Sequence, residues 1–125
     1  MSRFVLKTLP GGIKFDLLAP NGQPIAASET YDTRAACLKG VESVRKCAPS
    51  APVEDLTEEN APTLPHPKFQ IFRDKTGQFR FRLKARNGKI IAVSDSYQTR
   101  AGCEHGIDSV RKNAPAAEID ETAES

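Results

Sequence analysis

The chain repeats itself. Tyr31-Asp32-Thr33-Arg34-Ala35-Ala36-Cys37 returns as Tyr97-Gln98-Thr99-Arg100-Ala101-Gly102-Cys103. Val41-Glu42-Ser43-Val44-Arg45-Lys46 returns as Ile107-Asp108-Ser109-Val110-Arg111-Lys112. From Asn21 to Pro49, at an offset of 66, about 17 of 29 positions are identical. Upstream, Phe4 aligns with Phe69 and Phe15 with Phe81 once one residue is dropped in an early turn. Each copy spans about 55 residues, a size at which a single core is only marginally stable. Two copies sharing one core, related by a pseudo-two-fold, is the arrangement this predicts. The expected boundaries are a first copy over 1–57, a Pro-rich linker over 58–67, a second copy over 68–122 and a tail over 123–125, all in one structural domain; Glu121 is read with the tail as fraying.

Each copy reads as three strands, a helix and a last short strand. In copy two, Phe69-Gln70-Ile71-Phe72 is a strand and Asp74-Lys75-Thr76-Gly77 a turn. Phe79 to Arg86 then alternates apolar and basic residues, the period of a half-buried strand. Asn87-Gly88 suits a tight hairpin turn, and Ile90 to Val93 returns. Copy one follows the same scheme through Pro10-Gly11-Gly12 and Asn21-Gly22, with Pro24 predicted at a strand start or edge. Thr33 and Thr99 are candidate helix caps. Cys37, Val41, Val44 and Ala48 form an apolar helix stripe, matched by Cys103, Ile107, Val110 and Ala114. Gly40 and Gly106 sit beside that stripe, at about 1 kcal/mol each relative to Ala, which predicts a close approach of the helix to its sheet. Short strands are expected near Val53 and Ile119.

The block N-G-x-x-I-A-x-S-[ED]-x-Y-x-T-R, followed by G-[VI]-x-S-V-R-K-x-A-P, resembles the YegP-like family, small bacterial proteins built from one or two such repeats. The resemblance covers nearly the whole chain except linker and tail. It implies an α+β fold: two β-β-β-α-β repeats forming a single mainly antiparallel sheet, two helices on one face, and exchanged C-terminal strands. It implies no function, the family being one of unknown function. Copy one departs from the pattern, with Phe15-Asp16-Leu17-Leu18-Ala19-Pro20 where Phe-Arg-Leu-Lys-Ala is more typical.

Two constellations are candidate binding sites. Arg80, Arg82, Lys84 and Arg86 form a basic comb, placed by alternation on one sheet face at about 6.8 Å intervals. That spacing resembles phosphate spacing along a single strand, so an electrostatic track for nucleic acid, RNA or single-stranded DNA, is one reading; a solvated sheet face is the simpler one. Phe79 and Phe81 point to the opposite face and offer the comb no stacking platform. Tyr31 and Arg34, with Tyr97 and Arg100, mark the strand-to-helix junctions. There an Arg in the first helical turn opposes the helix dipole and needs a compensating partner. The simplest partner is Glu29 or Asp95; an anion held at the helix start is the alternative.

Composition excludes more than it selects. A net charge of +2 is too small to mark a nucleic-acid protein by itself. The three cysteines, Cys37, Cys47 and Cys103, form no C-x-x-C pair, and Cys37 and Cys103 fall on the apolar stripe. No metal-ligand spacing, P-loop or nucleophile elbow is present, so no catalytic residue and no cofactor is expected. Glu42 with Lys46 and Asp108 with Lys112 are i,i+4 pairs. A cytoplasmic monomer with free thiols, no membrane segment and a non-enzymatic binding or accessory role is the expectation.

Overall fold

The computed structural model describes residues 2–121; the tail at 123–125 and residue 122 lie outside them. Strands β1 (Arg3–Leu9), β2 (Gly12–Leu18) and β3 (Pro24–Ala27) are followed by helix α1 (Arg34–Cys47) and β4 (Val53–Asp55). Copy two gives β5 (Lys68–Arg73), β6 (Phe79–Lys84), β7 (Ile90–Val93), α2 (Arg100–Asn113), a 3-10 turn over Ala114–Ala116 and β8 (Glu118–Asp120). The eight strands form one sheet in the order β4-β5-β6-β7-β3-β2-β1-β8. It is a mixed sheet: six antiparallel strands from β5 to β1, with a parallel strand at each end.

Those parallel pairings join the copies. β4 of copy one lies beside β5 of copy two, with Glu54 opposite Gln70. β8 of copy two lies beside β1 of copy one, with Ile119 opposite Phe4. At the centre, Ala27 of β3 pairs with Val93 of β7, its own counterpart 66 residues later, so the pseudo-two-fold passes between them.

One continuous core fills the space between sheet and helices. Phe4, Phe15, Phe69 and Phe81 are fully buried and meet edge to face, Phe4 with Phe15 at 5.5 Å and Phe69 with Phe81 at 5.9 Å. Burying each such ring contributes about 1.5–3 kcal/mol. The helix stripes Cys37, Val41, Val44 and Cys103, Ile107, Val110 close over them. Thr33 and Thr99 cap the helices, accepting from the amides of Ala36 at 3.1 Å and Gly102 at 3.0 Å. Pro24 opens β3, where its missing N–H costs no ladder bond.

The helix glycines have a sharper reason than general closeness. A Cβ on Gly40 or Gly106 would collide with the hydroxyl of Tyr31 or Tyr97 and lie 2.8 Å from the ring carbon that bears it. The tyrosine rings wedge between helix and sheet, stacked on Phe15 at 6.4 Å and on Phe81 at 6.3 Å.

Gly106→Ala is therefore expected to destabilise the protein by about 1–2 kcal/mol, the overpacking outweighing the gain in helix propensity. Gly40→Ala should cost less, because Phe15 stands 3.2 Å from the new methyl where Phe81 stands at 2.9 Å. Urea midpoints of both variants, and of Gly106→Ala in a Tyr97→Phe background where the cost should shrink, check the account.

Candidate functional site

The register of β5 against β6 sorts copy two into faces. Phe69 opposite Leu83 and Ile71 opposite Phe81 point into the core; Lys68 opposite Lys84, Gln70 opposite Arg82 and Phe72 opposite Arg80 point outward. Arg80, Arg82 and Lys84 thus share the outer face. Arg86 does not join them: β6 ends at Lys84, and Arg86 stands exposed in the turn. Arg80 donates from Nε and Nη2 to the Ser94 carbonyl at 3.1 and 2.8 Å. Arg82 donates to the Gln70 side chain at 2.8 Å and lies over the Phe72 ring at 4.6 Å. These partners are neutral, so they fix both guanidiniums without cancelling their charge.

Phe72 was not part of the comb as read from sequence. The alternation Phe69, Ile71 against Gln70, Phe72 carries the signal, since it puts the fourth residue on the opposite side from the first. Phe81 is fully buried, while Phe79 is half-buried at the rim with Arg73 over its ring at 4.7 Å.

Beside the comb lies a buried ion pair. Lys68 and Glu54, each with 4% side-chain exposure, meet at 2.8 Å. Lys68 also donates to the Leu64 carbonyl, and Glu54 accepts from the Leu64 amide at 2.6 Å and from Gln70 at 2.6 Å. The segment expected to be a plain linker is thereby pinned across the outer face. The Lys68 ammonium, followed by the Leu64 amide, holds the Glu54 carboxyl down at about 2. At the other end of the sheet the corresponding pair, Arg3 with Asp120 at 3.0 Å, is partly exposed rather than buried. Asp16 stands where copy two has Arg82, and takes Lys7 at 2.8 Å and Lys14 at 3.0 Å. Burial pushes its carboxyl up, but the two lysines together outweigh it, so the carboxyl is lowered.

The junction arginines pair across copies, which corrects the expected partners. Arg34 binds Glu121, not Glu29, in a two-pronged contact. This also removes Glu121 from the fraying tail. Arg100 binds Asp55 at 3.0 Å, Glu58 at 3.1 Å and the Thr57 hydroxyl at 3.1 Å, not Asp95. Each arginine of a helix start therefore grips the end of the other copy's last strand, and the compensation for the helix dipole is a carboxylate from across the seam. Tyr31 and Tyr97 contribute backbone bridges to Ile13 and Phe79, and their rings pack; among the described residues neither hydroxyl makes a hydrogen bond. Burial, first, raises both phenols.

Two further arginines do the same work. Arg45 donates to the Ala117 carbonyl at 2.5 Å and Arg111 to the Ala51 carbonyl at 2.7 Å, within two residues of the start of each cross-copy strand. Arg45 lies over the Phe4 ring at 5.6 Å and Arg111 over the Phe69 ring at 5.5 Å. Their acidic neighbours on the helix are Glu42 and Asp108 at i,i+3, so the pairs expected with Lys46 and Lys112 are replaced by pairs with these arginines. The repetition of Val-Arg-Lys in both copies was the available signal.

The three cysteines are buried and free, and burial, followed by Asp55 and Glu104, pushes the Cys103 thiol up to about 11. Among the described residues no group of three or more His, Cys, Asp or Glu is placed to hold a metal ion, and no helix is long and apolar enough to cross a membrane. A depression of about 530 Å³ lined by Glu29, Thr30, Tyr31, Lys84 and Lys89 brings the lower end of the comb beside the copy-one junction.

A family model described as a domain of unknown function, DUF1508, matches residues 11–55 and 74–121. A UPF0339 protein from Treponema denticola is 60% identical over 52 residues, which is 42% of this chain and 90% of that one. A UPF0339 protein from Stutzerimonas stutzeri, encoded in the ptx operon 5' region, is 37% identical over 87% of this chain and 85% of its own. Among solved structures, the Escherichia coli protein of unknown function yegP superposes with a TM-score of 0.79 at 29% identity, over 97% of this chain and 92% of that one. A UPF0339 protein from Shewanella oneidensis gives 0.78 at 27%, over 96% and 90%.

Because folding lowers the Glu54 carboxyl from 4.5 to about 2, its contribution is fully present above pH 4.5 and is lost as the pH falls from there toward 2. Urea midpoints measured across that window should fall for the wild-type chain. Glu54→Gln should start lower at neutral pH, having stranded the buried Lys68, and lose less on acidification.

Proposed function

The chain belongs to the YegP-like family of unknown function, and on that footing we propose that it is a small non-catalytic binding module whose working surface is the outer face of the sheet on copy two. None of the matched names assigns an activity. Its architecture reads as a covalently joined pair of repeats that exchange their C-terminal strands and set both helices on one face, leaving the opposite face for a ligand. The proposed ligand is single-stranded nucleic acid, bound weakly and with little regard to sequence.

The observation that carries this is the outer-face row Phe72, Arg80, Arg82 and Lys84. Arg80, Arg82 and Lys84 stand on that face, beside the buried Lys68–Glu54 pair whose charges offset one another. Arg80 and Arg82 are held by neutral groups, so binding a phosphate costs less ordering of either side chain. Phe72 braces the Arg82 guanidinium through its ring, and the guanidinium plane is where a base would stack. The depression at Lys84 and Lys89 continues from the comb toward Tyr31, with Glu29 on its wall.

Fluorescence anisotropy with labelled single-stranded RNA and DNA at two or more salt concentrations tests the proposal. Binding should weaken as salt rises. In an Arg80→Ala/Arg82→Ala/Lys84→Ala variant the slope of log affinity against log salt should fall by about 2, as expected when three phosphate contacts are lost. An absence of binding at low salt, or binding unchanged in the triple variant, would overturn it.

A further inference from the structure

Nearly every aromatic ring in this chain is covered by its own neighbours. Phe4, Phe15, Phe69 and Phe81 are fully buried, and the tyrosine rings wedge under the helices. Phe72 lies under Arg82 and Phe79 under Arg73. His105 is exposed, but on α2, across the sheet from the comb. His66 is different: it is exposed, and it belongs to the segment pinned across the outer face.

That pinning acts on both sides of it. Before His66, the Leu64 amide donates to Glu54 at 2.6 Å and the Leu64 carbonyl accepts from Lys68 at 2.8 Å. After it, Lys68 is itself buried in β5. Pro65 and Pro67 flank His66 and restrict the backbone between those points. A Cβ built on Gly88, in the turn that follows β6, would stand 3.5 Å from Cε1, 3.7 Å from Nε2 and 3.9 Å from Nδ1 of the imidazole. Three adjacent ring atoms at so nearly one distance mean that a face of the ring, not an edge, lies against the turn. The opposite face is the one left to solvent.

Copy one supplies a control. Gly22 is the counterpart of Gly88 66 residues earlier, with a φ of +86° against +82°, and a Cβ there would meet nothing within 4 Å. The Asn-Gly turn therefore folds without a ring on it, and covering Gly88 is no requirement of the scaffold. The ring also sits where the comb ends: Lys68 pairs with Lys84 in register, and Arg86 and Gly88 follow in the turn.

We propose, resting on the nucleic-acid reading of the outer face, that His66 is its base-stacking platform, holding a base of a single strand whose phosphates run along Arg80, Arg82 and Lys84. The comb supplies charge without a free ring, and charge alone does not tell a nucleic acid from another polyanion. A strand tracking from Arg80 to Lys84 runs on toward the Asn87-Gly88 turn, and so toward the imidazole. A ring fixed before binding loses little freedom when a base settles on it. Its π face accepts any base, in keeping with weak dependence on sequence.

The test compares two fluorescent single strands of equal length and charge, oligodeoxyadenylate and its abasic counterpart, by anisotropy at low salt. Each is titrated with the wild-type chain, His66→Ala and His66→Tyr. The wild-type chain should bind oligodeoxyadenylate more tightly than the abasic strand. His66→Ala should weaken oligodeoxyadenylate binding by about fivefold or more and leave the abasic strand bound as before, and His66→Tyr, which restores a ring, should recover most of the loss. A purely structural role for His66 would instead lower the urea midpoint and weaken both strands equally. Equal weakening, unchanged oligodeoxyadenylate affinity in His66→Ala, or no recovery in His66→Tyr overturns this inference and leaves the nucleic-acid reading standing. A wild-type chain that binds neither strand overturns both.

Discussion

The parallel pairing of each copy's last strand with the other copy's first strand is what the rest of this molecule depends on. Within a copy, three strands joined by tight turns make an antiparallel meander, and the helix carries the chain back across its buried face. The strand that follows lands in the other half of the sheet. Ala51 and Ala117, which lead into those strands, are each 1% exposed and belong to the common core. A copy on its own would leave the backbone edge of its first strand open and its final strand without a partner. For a unit of about 55 residues, whose core is marginal to begin with, that loss weighs heavily.

The arginines follow from that pairing. An arginine in the first turn of a helix is disfavoured by a few tenths of a kcal/mol, so its presence at the same place in both copies demands a cause. Arg34 with Glu121 and Arg100 with Asp55 supply it across the seam. Arg45 and Arg111 bind backbone carbonyls on the same crossing segments. Charge-assisted bonds of this kind contribute about 1.5–3 kcal/mol where they are sheltered and far less where they are exposed. The two ends of the sheet therefore differ in how they are held although their geometry is related by symmetry. At β4 the arginines are joined by the buried Glu54–Lys68 pair; at β8 the corresponding residues, Asp120 and Arg3, lie at the surface.

Local features were legible in the sequence because they rest on local rules. Thr33 and Thr99 cap where the periodicity predicts, the Cys37-Val41-Val44 stripe is buried, and Pro24 opens its strand. Pairings between residues distant in the chain were less accessible. Glu29 stands five residues before Arg34, close enough to suggest itself from sequence, whereas Glu121 is 87 residues away and reaches it only through the cross-copy strand. The glycines illustrate the same limit: their repetition signalled the close approach to the sheet, where Phe15 and Phe81 do stand near, but not the tighter contact with the tyrosine just before each helix. In the comb, alternation placed Arg80, Arg82 and Lys84 together, and the Asn-Gly turn took Arg86 out of the strand. Phe72 joins that face through the strand register, which alternation within β6 alone does not specify.

The two copies also act as controls for one another. Residues that serve the fold recur: the serines Ser28 and Ser94 accept from the Phe15 and Phe81 amides, the tyrosines wedge against glycine, and the arginines hold the crossing strands. The outer face does not recur. Where copy two has Arg80, Arg82 and Lys84, copy one has Lys14, Asp16 and Leu18, and Asp16 draws Lys7 and Lys14 onto itself. Gln70 and Phe72, which hold and flank Arg82, are replaced by Val5 and Lys7. A scaffold requirement would apply to both halves, since the pseudo-two-fold gives both the same backbone. The guanidiniums of copy two therefore have no counterpart in what the fold demands, and their placement on neutral partners keeps their charge available at the surface.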